Sequence, residues 1–221
     1  MGSSLFNLQD YSVTEHVFFA TGCFLWVLTY VIVIKNIIKK QFVEIPIIAI
    51  CANFTWEFLW SFIFKTDMGE LYIWGYRIWF FMDCFIVYGM FRYGVKQVSI
   101  NILQKHFNLS IIFCLLSWLV MLFYYIKLYD VPFTHMGANS GYILNVMMST
   151  LYIISFLRYS QPTVFSYLAA WFKGLGTLLI TIFCFLRFND GFLLSMCVIT
   201  TILDIVYIYI LKRNSPLLIS K

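Results

Sequence analysis

Residues 13–34 read VTEHVFFATGCFLWVLTYVIVI, and the basic stretch KNIIKK follows them at residues 35–40. After Glu15 and His16 the run is mostly apolar, and a helix of about 20 such residues spans the hydrocarbon core of a bilayer. Lysine and arginine accumulate on the cytoplasmic side of membrane helices. The stretch therefore predicts a first membrane helix that ends at the cytoplasm.

Similar apolar runs recur along the chain, and the segments that join them are short. We predict seven membrane helices, with the ranges Val13–Ile34, Val43–Phe64, Leu71–Phe91, Phe107–Ile126, Gly137–Leu157, Thr163–Leu186 and Gly191–Leu211. Helices joined by short loops pack as antiparallel neighbours. We therefore expect an all-α fold, an integral membrane bundle of seven transmembrane helices that forms a single domain over residues 1–221.

The composition also indicates an integral, multi-pass membrane protein. Of the 221 residues, 62% are hydrophobic and 11% are charged, whereas soluble domains are about 45–50% apolar and about 25% charged. We expect membrane lipid to cover the excess apolar surface, in the cytoplasmic membrane if the source is bacterial. The net charge of +5 does not indicate a nucleic-acid partner, because the basic residues lie at helix ends. The sequence leaves the oligomeric state open.

The orientation follows from the distribution of lysine and arginine between the two sets of loops. One side has only Lys65, Lys127 and Arg187. The other side has ten basic residues: Lys35, Lys39, Lys40, Arg92, Lys96, Lys105, Arg158, Lys212, Arg213 and Lys221. Positively charged loops stay in the cytoplasm, so we predict that the N-terminus is outside and the C-terminus is cytoplasmic.

Five charged residues lie toward the middle of the predicted helices, where a charge costs at least roughly 2.5–3.5 kcal/mol on insertion scales. They are Glu57, Arg77, Asp83, Lys173 and Asp204. One interpretation is that each acid pairs with Arg77 or Lys173 and locks two helices together. Arg77 is also near enough to a helix end to extend its side chain to the interface. The other interpretation is a polar site in the interior of the bundle.

Helical spacing places further polar residues beside these charges. Asn53 lies four residues before Glu57, so both side chains share one helix face and a hydrogen bond between them is expected. By the same spacing, Asp83 shares a face of the third helix with Tyr76 and Trp79. Asn145 belongs to a polar stripe on the fifth helix, and Tyr207 lies one turn after Asp204. Hydrogen bonds between helices explain that stripe as well as a ligand does.

Four short stretches of this sequence resemble one known family. They are NFTWEF at residues 53–58, RIWFFMD at 77–83 with RYG at 92–94, NVMMS at 145–149, and DIVY at 204–207. Their order and spacing are similar to those of the small seven-helix transmembrane terpene cyclases of meroterpenoid and indole-diterpene biosynthesis. Chain length and helix number agree with that family as well.

The resemblance implies particular roles for these residues. In that family, one glutamate of the second helix and one aspartate of the seventh are regarded as essential, and they correspond to Glu57 and Asp204. We expect supporting or substrate-binding roles for Asn53, Trp56, Tyr76, Arg77, Trp79, Asp83, Asn145 and Tyr207. The implied activity is class II cyclisation, in which an acid protonates a polyprenyl alkene or terminal epoxide and the carbocation closes rings.

This chemistry fits the residues. A carboxyl group away from water stays protonated and can donate its proton as a general acid. Aromatic residues make up 21% of the chain, and a cavity walled by aromatic rings excludes water and stabilises a cation. The sequence has no Asp-rich diphosphate motif and no nucleotide, haem or flavin motif. We therefore expect a lipophilic prenylated substrate, free or attached to an aromatic head group, with no metal and no cofactor.

Two alternatives make different structural predictions. A proton-coupled or small-molecule transporter would use the buried acids as ion sites and would need a polar path to both membrane faces. A non-catalytic membrane partner protein would pair its acids fully with Arg77 and Lys173 and would have no cavity. A cyclase requires Glu57 and Asp204 to converge on one closed, aromatic-lined cavity that opens only toward lipid or one leaflet.

Overall fold

The computed structural model describes residues 4–159 and 162–214, and in these ranges it is helical with no strand. The α-helices are α1 (Val13–Lys40), α2 (Ile47–Phe58), α3 (Glu70–Tyr93), α4 (Asn101–Lys105), α5 (Phe107–Tyr125), α6 (Ala138–Arg158), α7 (Tyr167–Arg187) and α8 (Gly191–Arg213). One π-helical turn, Leu59–Ile63, continues α2, and another, Ile126–Asp130, continues α5. Short 3-10 turns cover Gly94–Gln97 and Pro162–Val164. The all-α class is thus confirmed.

Six helical segments of the described chain are long and apolar enough to cross a membrane. They are Val13–Lys40, Glu70–Gln97, Phe107–Asp130, Ala138–Arg158, Tyr167–Arg187 and Gly191–Arg213. The segment predicted as the second span is a shorter apolar helix, Ile47–Ile63. The count of seven crossings and the orientation therefore stay predictions, and Lys221, one of the ten residues behind the orientation, lies outside the described residues.

Local capping explains where several helices begin. Ser12 caps α1 and forms a reciprocal capping box with Glu15. Helix α7 corresponds to the sixth predicted span. It begins at Tyr167 rather than at the predicted Thr163, because the Ser166 hydroxyl accepts the Ala169 N–H at 3.2 Å. Asp190 caps α8 in the same way, accepting the Leu193 N–H at 2.9 Å. These caps satisfy backbone groups that a helix start leaves without partners.

Glycines allow the closest helix contacts of the bundle. A Cβ added to Gly22 of α1 would lie 2.8 Å from the carbonyl oxygen of Gly176 on α7, so α1 and α7 pack backbone against backbone. At the other end of α1, Ile37 is buried against Gly89 of α3. This contact explains why α1 extends beyond the predicted end at Ile34. Helix α8 packs on α6 and α7, and α2 packs on α3 and α5.

Candidate active site

Glu57 of α2 is the centre of a buried polar cluster. Its side chain is 1% exposed, and its Oε1 accepts a hydrogen bond from the Asn53 amide at 2.9 Å, as the helical spacing predicts. The Tyr30 hydroxyl on α1 donates a second hydrogen bond to the same oxygen. Within the described chain, no donor reaches the other oxygen, Oε2. One carboxyl oxygen is therefore held by two donors, and the other is free to carry a proton.

Asp83 of α3 adds a second carboxyl group to this cluster. The Asn53 amide nitrogen lies 3.0 Å from Asp83 Oδ2, and the two carboxyl groups are within hydrogen-bonding reach of each other. Asp83 is 2% exposed, and no ion pair involves either acid in residues 4–159 and 162–214. Two uncompensated negative charges side by side in an apolar interior are prohibitively costly. The pair therefore retains at least one proton.

Glu57 borders a cavity of about 80 Å³ that lies between α1, α2, α3, α6 and α7. The site residues predicted from the sequence that line it are Asn53, Trp56, Glu57, Tyr76, Trp79 and Asn145. Further aromatic walls come from Phe19, Trp26, Tyr30 and Tyr142. The structure thus brings most of the predicted residues of α2, α3 and α6 to one aromatic cavity.

Hydrogen bonds and ring contacts fix the tryptophan and tyrosine walls. The Trp56 indole N–H donates to Ser140 Oγ at 2.6 Å, and the Tyr76 hydroxyl donates to the Met136 carbonyl at 2.8 Å. The Tyr76 ring meets both Trp56 and Trp79 edge-on, at centroid distances of 5.5 and 5.6 Å. These contacts set the orientation of the rings on the cavity wall.

Besides Glu57 Oε2, two polar atoms of cavity-lining residues have no hydrogen-bond partner in the described part of the chain. They are Trp79 Nε1, a donor, and Asn145 Oδ1, an acceptor, and both are buried. Buried polar groups in proteins are almost always paired. Because both residues line the cavity, these atoms are available to an oxygen-bearing group of a bound molecule.

The start of α6 brings its residues close to the tryptophan wall. Gly137 has a φ of +82°, and a Cβ added there would lie 2.6 Å from Trp60 Nε1. Asp130 accepts the N–H groups of Asn139 and Ser140 at 3.1 and 3.0 Å. Sequence reasoning missed Asp130, because it lies eight residues before α6 and outside the local capping pattern.

Asp204 belongs to a separate polar cluster that connects three helices. Lys173 Nζ of α7 lies 2.7 and 2.9 Å from the two carboxylate oxygens of Asp204 on α8. Ser149 Oγ of α6 donates to Asp204 Oδ1 at 2.7 Å, and Tyr207 packs on Tyr152 nearby. The side chains of Lys173, Asp204 and Ser149 are all buried. Contrary to the requirement stated above, Asp204 does not line the cavity that Glu57 borders.

The two clusters are neighbours nonetheless. A smaller cavity of about 20 Å³ is lined by Tyr30, Asn53 and Asp83 from the first cluster and by Lys173 from the second. Lys173 Nζ also lies 5.5 Å from the centre of the Trp26 ring. Lys173, which the sequence associated with helix packing, is therefore the link between Asp204 and the Glu57 cluster.

Arg77 is the predicted residue that the structure places apart from both clusters. Its Nε donates to the Ser61 carbonyl at 3.4 Å, and its guanidinium group lies 4.8 Å from the centre of the Trp74 ring. It pairs with neither Glu57 nor Asp204 in the region described. The structure thus places Arg77 outside both clusters, and a supporting role for Arg77 stays a prediction.

Tyr30 is a further site residue that the sequence did not reveal, since a tyrosine among the apolar residues of α1 has no distinguishing spacing. Regarding metals, the described residues contain no group of three or more His, Cys, Asp or Glu side chains arranged to hold an ion.

Comparison with known proteins identifies a family that matches most of the chain and relatives that match parts of it. A family model described as Pyr4-like transmembrane terpene cyclases matches residues 6–214. The protein named Terpene cyclase spyD from Aspergillus fumigatus is 23% identical over 128 residues, which cover 57% of this chain and 53% of that protein. Terpene cyclase dpasB from Apiospora sacchari is 25% identical over 127 residues, covering 56% of this chain and 50% of that protein.

A third relative, the Pyr4-family terpene cyclase mfmH from Annulohypoxylon moriforme, is 24% identical over 106 residues, 48% of this chain and 43% of its own. The chain spans about half the length of the curated relatives it matches. These organisms lend no support to a bacterial source. No solved structure matches the chain.

Proposed function

The chain belongs to the Pyr4-like transmembrane terpene cyclases, and from this premise we propose that it cyclises a lipophilic prenylated substrate inside the membrane. Glu57 protonates an alkene or a terminal epoxide of the prenyl chain, and the resulting carbocation closes rings and loses a proton. The observation that carries the proposal is the buried Glu57 carboxyl group, with one oxygen free of donors, on the wall of an aromatic cavity.

The contacts of Glu57 suit a proton donor. The proton resides on Oε2 and passes to the substrate, where it forms a new C–H bond on an alkene or a new O–H bond on an epoxide. Negative charge then develops on the carboxylate, and the hydrogen bonds to Oε1 from Tyr30 and Asn53 strengthen with it. Burial alone makes a weak acid, and these two donors oppose that effect by stabilising the conjugate base.

The rest of the cavity suits a cation. The rings of Trp56, Tyr76 and Trp79 are attractive to positive charge through their π-faces and exclude water that would trap the cation early. Loss of a proton at the end makes the reaction an isomerisation, and the Glu57 carboxylate left by the first step is the base on the cavity wall that takes this proton back. Trp79 Nε1 donates to a hydroxyl group of the substrate head group, and Asn145 Oδ1 accepts a hydrogen bond from that hydroxyl group.

Asp204 acts as a positioning residue in this proposal. It neutralises Lys173, which lines the small cavity beside Asn53 and Asp83. An unpaired ammonium group there would attract the carboxyl groups of the first cluster, and its positive charge would favour loss of the proton that they hold. The family resemblance, which implies that Asp204 is essential, is compatible with this indirect role.

Asp204 is paired with Lys173, as a non-catalytic partner protein would have it, but the surroundings of Glu57 favour the cyclase over that alternative. A non-catalytic partner was expected to have fully paired acids and no cavity. In the structure Glu57 contacts no cation among the described residues, and it borders a cavity.

For the topology, we propose that Ile47–Ile63 also crosses the bilayer, giving seven crossings with the N-terminus outside. Its 17 residues span about 26 Å as a helix, close to the lower limit for a membrane span.

The decisive experiment is product analysis with membranes that contain the protein. They are supplied with a farnesylated aromatic compound and, separately, with its terminal epoxide, and products are analysed by mass spectrometry. We expect a cyclic isomer of unchanged mass, lost by at least about 10²-fold in Glu57→Gln. Glu44→Gln is the matched control, because Glu44 is equally buried but lies between α1 and α2, away from the cavity. A Glu57→Gln protein as active as Glu44→Gln would refute Glu57 as the donor.

A further inference from the structure

A second cavity, the α1–α3 crevice, lies between α1 and α3 on the outside of the helix bundle. It has a volume of about 300 Å³, is bordered by Phe19–Val27 of α1 and Leu71–Trp79 of α3, and is lined by residues without charge. Phe24, Trp74 and Ile78 on its walls are exposed on the outside of the bundle. In a membrane protein such side chains face lipid, so the crevice opens sideways into the bilayer.

The crevice exists because α1 and α3 separate along their length. At one end they are in tight contact, since a Cβ on Gly89 would lie 2.6 Å from Ile37 Cγ2. At Gly75 the helices leave room, and a Cβ added there would meet no described atom within 4 Å. Beyond Gly75 the gap closes again, where His16 Nδ1 and the Tyr72 hydroxyl share a hydrogen bond of 2.8 Å. The result is a window bounded at both ends.

The crevice adjoins the Glu57 cavity. Phe19, Tyr76 and Trp79 line both, so these side chains form a shared wall between the lipid side and the cavity of the acid. The crevice adds about 300 Å³ of space beside the cavity of about 80 Å³. A polyprenyl chain therefore has room outside the cavity while its reactive end lies inside.

We propose that the α1–α3 crevice is the binding site of the substrate's polyprenyl tail and the route by which it passes from the bilayer to Glu57. The inference rests on the proposed function, and it goes beyond that function by locating the tail. The occupant is an isoprenoid chain, because the crevice is apolar and opens to lipid. It also borders the Glu57 cavity through three shared aromatic side chains, Phe19, Tyr76 and Trp79.

The test fills the crevice at its open position. Gly75→Leu adds an isobutyl side chain where the structure has room, and leucine suits a helix better than glycine does. The control is Gly191→Leu at the start of α8, where an added Cβ likewise meets no described atom within 4 Å. We expect kcat/KM for the prenylated substrate to fall at least about tenfold in Gly75→Leu and to stay unchanged in Gly191→Leu. Unchanged kcat/KM in a correctly inserted Gly75→Leu protein would overturn the proposal.

A labelling experiment tests the crevice independently of turnover. A photoreactive diazirine analogue of a farnesyl chain is added to membranes, and the labelled peptides are identified by mass spectrometry. We expect label in residues 19–27 and 71–79, with less in Gly75→Leu. Label elsewhere, or equal label from a saturated acyl diazirine of the same length, would refute an isoprenoid site. If the wild type forms no cyclic product yet labels as expected, the proposed function fails while the crevice assignment stands.

Discussion

The side-chain amide of Asn53 donates to Glu57 Oε1 at 2.9 Å, from one helical turn earlier on α2. The same amide lies 2.6 Å from the Tyr30 hydroxyl, so one asparagine organises the donors around the acid. A preorganised donor stabilises the charge that develops when Glu57 gives up its proton.

We expect Asn53→Leu to lower kcat about 10²-fold, the typical loss for one such donor. The loss should be larger with the alkene than with the more basic epoxide, because the weakened acid limits the less basic substrate more. Steady-state kinetics with both substrates measure this difference. An equal loss with both would indicate a purely structural role for Asn53.

Asp83→Asn tests which carboxyl group touches the substrate. Glu57 lines the main cavity and Asp83 lines only the small cavity behind it. We therefore expect Asp83→Asn to lower kcat by about tenfold, less than the loss of at least about 10²-fold in Glu57→Gln. Single-turnover product formation separates the proton transfer from later steps. If the two variants lost activity equally, the assignment of Glu57 alone as donor would be wrong.

The Lys173–Asp204 ion pair predicts a rescue. Asp204→Asn leaves the buried ammonium group of Lys173 without its charge partner, so it should destabilise the fold by about 3 kcal/mol or more. The double variant Lys173→Met/Asp204→Leu removes both charges and should recover most of the stability, and activity to within about tenfold of the wild type. Thermal unfolding and product yield measure the two effects. A stable but inactive double variant would instead assign direct chemistry to Asp204.

Gly137 is expected to tolerate no side chain. Its φ of +82° and the distance of 2.6 Å from an added Cβ to Trp60 Nε1 predict that Gly137→Ala destabilises the protein by about 1–3 kcal/mol. Gly191→Ala, at a position with open space, should leave the melting temperature unchanged. Equal melting temperatures for both variants would contradict the close packing of α6 on the tryptophan wall.

Glu44 predicts a pH dependence of stability. It lies outside the membrane spans, accepts the Ser166 N–H at 2.7 Å, and burial raises its pKa from 4.5 to about 7, against the opposing effects of that hydrogen bond and of Lys40. Because the folded protein holds this proton more tightly than the unfolded chain, stability is greatest below about pH 4.5 and falls as the pH rises to about 7. The contribution is at most about 3 kcal/mol.

Unfolding in detergent at about pH 5 and about pH 8 measures this effect, taking the difference between the wild type and Glu44→Gln. Glutamine does not ionise, so the variant should lose less stability than the wild type over that interval. A wild type and a variant with the same pH profile would show that Glu44 is not buried as described.

The sequence by itself determined six apolar helices long enough to cross a membrane, the all-α class and the local pair of Asn53 and Glu57. Apolar run length and helical spacing are properties of a single segment, so they can be derived without knowing how segments pack. The acids stood out for the same reason, since a charge in an apolar run is recognisable wherever the helix lies.

Only the tertiary structure decided which charges meet. Tyr30, Asn53 and Asp83 come from three helices, and no spacing along the chain predicts that one amide joins them. The same holds for the pairing of Asp204 with Lys173 rather than with the Glu57 cavity, and for the separation of Arg77 from both clusters. The relative rotation and separation of helices are set by close packing between distant segments, such as Gly22 against Gly176, and that packing decides which side chains enclose a cavity.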